Sequence, residues 1–121
     1  MVTFVHCADL HLDKSFAFPS TSTAEKRKKD LKDRFDEIIN FTLKDSTDLF
    51  LVAGDIFDKL SPTNEARVFL IDRMMKLKQA GIQSILIGGN HDVPKSQIDK
   101  PMAIDVLEKA EIATVFASKE E

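Results

Sequence analysis

The chain has 121 residues, of which 43% are hydrophobic and 31% are charged, as expected for one globular domain or part of one. The net charge of −3 argues against a generally basic nucleic-acid-binding domain, and no apolar run approaches the ~20 residues that a membrane span needs. A single cysteine cannot form an internal disulfide and the N-terminus lacks a secretion signal, so we expect a cytoplasmic setting.

The hydrophobic pattern alternates between strands and helices. It predicts a first strand at residues 2–6, followed by a helix over 23–44 with a capping box formed by Ser22 and Glu25. Residues 49–53 are apolar throughout, which predicts a strand covered on both faces. The last predicted elements are a helix that begins at Ser61-Pro62 and ends at Gly81, a strand at 84–87, a helix from 101 to 110 and a strand at 113–116.

Repeated strand–helix–strand units predict an α/β fold, with a parallel or mixed sheet and flanking helices. In such sheets, functional groups gather beyond the carboxyl ends of the strands. Three short motifs follow the first three strands: Asp9-Leu10-His11, Gly54-Asp55 and Gly89-Asn90-His91-Asp92. We therefore expect all three motifs to meet at one edge of the sheet.

The residue types in these motifs suit a site for two divalent metal ions. Asp9 and His11 would project to the same side of an extended strand end, and Gly54 would permit a tight turn at Asp55. A carboxylate at Asp55 could bridge two ions about 3.5–4 Å apart, and Asn90 would offer a neutral oxygen to the second. Carboxylate and imidazole ligands suit Mn²⁺, Fe²⁺ or Zn²⁺.

The third motif also contains a candidate catalytic residue. His91 could stabilise charge on a bound phosphate or protonate the leaving oxygen, with Asp58 or Asp92 as the carboxylate that supports it. Each motif alone has a simpler explanation as a capped loop or a turn, and only their joint occurrence favours a metal site. Cys7 has no cysteine partner and is interpreted as a small buried residue, not a metal ligand.

A local basic run interrupts the acidic composition. Lys26, Arg27, Lys28 and Lys29 lie near the start of the first predicted helix, where cations oppose the helix dipole. This placement could indicate contact with nucleic-acid phosphates, but a solvated helix face is the commoner explanation of such a run.

Residues 4–13 and 53–58, together with the Gly-Asn-His-Asp motif, resemble the calcineurin-like metallophosphoesterases, and within them the SbcD-type DNA repair nucleases. The resemblance implies half of a four-layer α/β sandwich, Mn²⁺-dependent exonuclease and endonuclease activity on DNA, and an SbcC-type SMC-like ATPase partner. It implies that one metal ion binds Asp9, His11 and Asp55, that the second binds Asp55 and Asn90, and that His91 is the catalytic histidine.

The family's later histidine ligand and its closing Gly-His-x-His motif have no counterpart, because no histidine follows His91. We therefore expect the chain to be the N-terminal portion of the domain and weakly active alone. Apolar faces left uncovered would favour self-association as a homodimer. Two other functions stay open: a phosphatase or nucleotide phosphodiesterase, and a non-catalytic module that binds through the Lys26–Lys29 face.

Overall fold

A computed structural model describes residues 1–15, 21–88 and 102–117 of the chain. Four strands alternate with three helices, which confirms the predicted α/β class. In chain order, the elements are β1 (Phe4–Ala8), α1 (Thr21–Lys44), β2 (Leu49–Ala53), α2 (Asn64–Gln79), β3 (Gln83–Gly88), α3 (Asp105–Lys109) and β4 (Thr114–Ala117).

The sheet is wholly parallel, and its strands follow one another in the order β1-β2-β3-β4. Crossovers between parallel strands are right-handed in nearly all proteins, so a sequential order brings every connecting helix to the same face. The core confirms this arrangement, because Ile39 of α1, Met74 of α2 and Leu107 of α3 are all buried in one cluster with Phe50 and Leu86 of the sheet.

The opposite face of the sheet is uncovered in the described part of the chain. In β2, Phe50 and Val52 are buried, whereas Leu49 and Leu51 on the other face are only half-buried. The prediction that this strand is covered on both faces is therefore wrong. The apolar pattern was right, but all three helices pack on one side of the sheet and none of them reaches the other.

We call this uncovered side the bare face. Strand register places on it alternate residues of all four strands, with Phe4 58%, Ile87 43% and Phe116 55% exposed. Exposed apolar side chains on one face of a sheet can mark a site of association.

Replacing Phe4 by lysine is expected to reduce self-association of the 121-residue chain, because it places a charge at the start of the bare face. Sedimentation velocity over a concentration series measures this effect. Phe41→Lys is the matched control, since Phe41 is 57% exposed but lies on α1, away from the sheet. Equal self-association of both variants and the wild type would contradict the expectation.

Several predicted boundaries shift for identifiable reasons. β1 begins at Phe4 and not at Val2, because the Thr3 carbonyl accepts from the backbone N–H groups of Asp48 and Leu49 and starts the pairing there. The predicted N-cap at Ser22 is wrong, since α1 already begins at Thr21.

The second helix also begins later than predicted. Its N-cap is Thr63, whose Oγ1 accepts from the backbone N–H of Ala66 at 3.2 Å, so Ser61 and Pro62 precede the helix. Gly81 follows the helix with a φ of +80°, which confirms the predicted stop.

The third helix is shorter than the predicted 101–110. Met102 N–H donates to Asp105 Oδ2 at 2.6 Å, and this turn precedes a helix that begins at Asp105. Pro101, the predicted start, lies outside the described residues.

Candidate metal centre

The loops after β1 and β2 are hydrogen-bonded to each other, so they continue the sheet past its regular end. Asp9 N–H donates to the Gly54 carbonyl at 3.2 Å, and His11 N–H donates to the Asp55 carbonyl at 2.9 Å. One step further, the Leu12 N–H donates to the Ile56 carbonyl at 2.9 Å. These bonds fix the backbone of two separate motifs relative to each other.

Polar and apolar residues alternate along the first of these loops. Leu10 and Leu12 are buried in the core, whereas Asp9 is exposed and His11 is partly exposed. The two leucines therefore anchor the loop and turn Asp9 and His11 towards the open edge of the sheet.

The backbone geometry of the loops differs from the extended strand end that the sequence suggested. Asp9, His11 and Asp55 have φ values of +55°, +46° and +46°, and Gly54 has +80°. Left-handed conformations are uncommon for residues with a side chain, and they concentrate at functional sites. The Asp9 and His11 side chains thus converge because of left-handed turns beyond β1, not because of strand alternation. The predicted tight turn at Gly54 is confirmed.

Three side chains converge at this edge of the sheet. Asp9, His11 and Asp55 each offer one ligand atom, and all of these atoms lie within 4.8 Å of one another. His11 Nε2 lies 4.0 Å from Asp55 Oδ2, within the roughly 4.4 Å that two ligands of one ion can span at bond lengths of about 2.0–2.2 Å. Two carboxylates and an imidazole form a donor set that fits a divalent metal ion.

The orientation of His11 is set by a neighbouring carboxylate. Asp58 Oδ1 lies 3.0 Å from His11 Nδ1, and both side chains are only about a quarter exposed. A carboxylate on one imidazole nitrogen fixes the tautomer and raises the basicity of the other. Asp58 was predicted, as an alternative to Asp92, to support His91, whereas in the structure its carboxylate contacts His11.

Burial disfavours the Cys7 thiol as a metal ligand. Cys7 packs partly against the core, and burial raises its pKa from 9.0 to about 11, which disfavours the thiolate that metal binding requires. Cys7 is half-buried, so the prediction that it is a small buried residue is met only in part.

Sequence reasoning missed one carboxylate, Asp13. Its Oδ2 accepts from the backbone N–H of Thr63 at 2.9 Å, which ties the loop after β1 to the start of α2. The spacing Asp9-x-His11-x-Asp13, with leucine in both gaps, is the signal that could have indicated a third residue on the exposed side.

The third motif, with Asn90, His91 and Asp92, lies outside the described residues. Their roles as second-metal ligand, catalytic histidine and supporting carboxylate therefore stay predictions. The strand that leads into the motif runs beside the site, because the Gly54 N–H donates to the Ile87 carbonyl at 2.8 Å.

The basic run on α1 is exposed and partly neutralised by its own helix. Arg27 lies 3.9 Å from Asp30, and Lys29 lies 3.2 Å from Asp33. Surface pairs of this kind contribute little to stability, so these cations can exchange partners readily.

Comparison with known families agrees with this geometry. Residues 2–118 match the calcineurin-like phosphoesterases. The chain belongs to the calcineurin-like phosphoesterase family. This membership confirms the resemblance noted in the motifs, and the four-stranded parallel sheet with its flanking helices is consistent with the family's α/β fold.

Relatives within the calcineurin-like phosphoesterases include DNA double-strand break repair protein Mre11 of Saccharolobus solfataricus, 35% identical over 95 residues, which are 78% of this chain and 24% of that protein. Mre11 of Sulfurisphaera tokodaii is 35% identical over 91 residues, covering 75% of this chain and 22% of that protein. The uncharacterized metallophosphoesterase YhaO of Bacillus subtilis is 33% identical over 95 residues, covering 75% of this chain and 23% of that protein. The chain thus spans about a quarter of the length of these relatives. None of the helices in its described ranges is long and apolar enough to cross a membrane.

Proposed function

We propose that this chain carries the first metal-binding half of a phosphodiesterase active site, and that the reaction is DNA hydrolysis by a repair nuclease of SbcD type. The observation that carries the proposal is the convergence of Asp9, His11 and Asp55, with Asp58 orienting His11. The relatives named as DNA double-strand break repair proteins support a DNA substrate over other phosphate esters.

In this proposal, Asp9, His11 and Asp55 hold one divalent ion, and Asp55 and Asn90 hold a second. Mn²⁺ is the ion proposed, while Fe²⁺ and Zn²⁺ suit the same donors. Bound metal ions would neutralise charge on the phosphate and supply a nucleophile at neutral pH.

The remaining roles belong to the protein's own groups. Asp58 holds His11 in one tautomer through Nδ1, so that Nε2 faces Asp55. His91 is proposed to protonate the leaving oxygen or to stabilise charge on the phosphate, with Asp92 as its supporting carboxylate.

The wider setting is also part of the proposal. We infer a cytoplasmic protein that acts on DNA with an SbcC-type ATPase partner. We also infer that histidines outside these 121 residues complete the site, because the chain contains none after His91.

The test compares hydrolysis of linear duplex DNA by the natural polypeptide that carries these residues and by its Asp55→Asn variant, both with Mn²⁺. We expect the substitution to reduce cleavage at least about a thousandfold, because it removes a charge from the metal site. Asp45→Asn, an exposed carboxylate beyond α1, is the matched control. Equal DNA cleavage by the wild type and Asp55→Asn would refute the proposal, and faster turnover of small phosphate esters than of DNA would favour a phosphatase.

A further inference from the structure

A cleft of about 450 Å³ opens between α1, the start of α2 and the loop that follows β1. Its walls come from the loop after β1, the first half of α1 and the start of α2. The charged side chains that line it include Asp13, Lys14, Lys28, Lys29, Lys32 and Glu65.

The cleft begins at the residue after a metal-ligand candidate. Leu12 follows His11 directly, so their Cα atoms are about 3.8 Å apart. The segment of Leu12 and Asp13 is hydrogen-bonded to the loop after β2 and to the N-cap of α2. The Leu12 carbonyl accepts from Asp58 N–H, and the Asp13 carboxylate accepts from Thr63 N–H, each at 2.9 Å. The segment that carries His11 therefore continues into the wall of the cleft.

The wall between the two helices is firmly held. Arg73 of α2 donates from Nε and Nη2 to the Asp36 carboxylate of α1 at 2.8 and 3.1 Å, which raises the pKa of the arginine. The same guanidinium lies over the Phe69 ring, with Cζ 4.0 Å from its centroid. These contacts join α1 to α2 next to Phe69, which lines the cleft.

Four lysines and three carboxylates line the cleft, but their availability differs. Asp13 is bonded to Thr63 N–H, and Glu65 accepts from Lys32 Nζ at 2.6 Å, which lowers the pKa of Glu65. Lys29 pairs with Asp33 on its own helix. In contrast, Lys14 and Lys28 are exposed and form no salt bridge within 4.0 Å in the described ranges, although the charge of Lys28 helps to lower the pKa of Glu65.

The structure divides the basic run of α1 into two parts. Lys28 and Lys29 line the cleft, whereas Lys26 and Arg27 do not. Lys32, which extends the basic run along α1, also lines the cleft, and Lys14 lines it from the loop after β1.

We propose that this cleft binds the phosphate backbone of a nucleic-acid strand, with Lys14 and Lys28 contacting phosphates next to the one at the metal centre. The inference rests on the proposed function and adds the path of the substrate. A nucleic-acid strand carries a charge about every 3.4 Å of helix axis, so neighbouring phosphates accompany the reacting one into the cleft. Mobile lysine ammonium groups suit such contacts, which need charge without sequence specificity.

The test measures binding of a fluorescein-labelled oligothymidylate to the full chain by fluorescence anisotropy, with a chelator present so that hydrolysis plays no part. Lys14→Gln/Lys28→Gln is expected to weaken binding at least about tenfold at low salt. The slope of log affinity against log salt should fall by about 1.4, since each lost phosphate contact on a single strand contributes about 0.7.

Lys44→Gln/Lys78→Gln is the matched control, because it removes the same charge from exposed lysines in the last turns of α1 and α2. We expect it to bind within about twofold of the wild type. Lys26→Gln/Arg27→Gln removes two charges from α1 outside the cleft, so it distinguishes an effect of the cleft from an effect of the overall charge of α1. It should lose less affinity for the oligonucleotide than Lys14→Gln/Lys28→Gln. Equal losses in all three variants, or no binding by the wild type, would overturn the proposal. If the three variants bind as expected but the wild type does not hydrolyse DNA when Mn²⁺ is supplied, the proposed function would be wrong and the proposed binding cleft would stand.

Discussion

Asp55→Ala is expected to reduce the affinity of the site for Mn²⁺ by at least about a hundredfold, because it removes the carboxylate that faces both Asp9 and His11. The three candidate ligands come from only two loops, and Asp55 is the sole contribution of the second loop. Its loss leaves a carboxylate and an imidazole two residues apart, which hold an ion far less well than three converging groups. Titration calorimetry or the electron paramagnetic resonance signal of free Mn²⁺ measures the change.

The Asp58→Asn variant should show an intermediate loss of about 10- to 100-fold, since it weakens the orientation of His11 without removing a ligand. Asp45→Ala is the control for both variants, because Asp45 is an exposed carboxylate in the turn after α1. If Asp55→Ala and Asp45→Ala bound Mn²⁺ equally well, the assignment of the metal site would be wrong. If Asp58→Asn were as damaging as Asp55→Ala, Asp58 would have to be counted among the ligands.

The Phe50→Ala variant is expected to lower the free energy of unfolding by about 3–5 kcal/mol. Phe50 lies on the inner strand β2 and is 0% exposed, so truncation leaves a cavity between the sheet and α1. Its ring lies 6.5 Å from that of Phe35, which in turn lies 5.9 Å from Phe69 of α2. The substitution therefore breaks a chain of aromatic contacts that joins the sheet to both long helices.

Urea unfolding followed by circular dichroism measures this loss. Phe41→Ala is the matched control, since Phe41 is 57% exposed on α1 and its truncation should change stability by less than about 0.5 kcal/mol. Similar losses in the two variants would show that the core does not lie between α1 and the sheet as described. The expected loss is a large fraction of the free energy of unfolding, which is only about 5–15 kcal/mol for native domains.

Much of the fold could be predicted from the sequence because the apolar periodicity was strong. Every strand and helix in the described ranges lies within a few residues of its predicted place. The boundaries that moved depended on single hydrogen bonds, such as that from Ala66 N–H to Thr63 Oγ1, which no hydrophobic pattern records. Uniform apolarity at 49–53 predicted a buried strand, but it could not show whether this chain's own helices cover both sides.

The candidate site was predicted in its residues but not in its geometry. Asp9, His11 and Asp55 could be singled out because each follows a strand, and parallel strands end at the same edge. The left-handed conformation of all three could not be read from residue types, because aspartate and histidine adopt it only in a small minority of cases. The role of Asp58 was also missed, since its bond to His11 spans 47 positions and depends on the pairing of the two loops.

The positive φ values at Asp9, His11 and Asp55 imply a conflict between chemistry and conformational preference within the same three residues. Glycine would adopt these conformations with less strain, yet it would contribute no ligand atom. Selection for thermal robustness alone would therefore favour replacing them, as is common where activity and stability compete. The same backbone conformation brings the three candidate ligand atoms within 4.8 Å of one another.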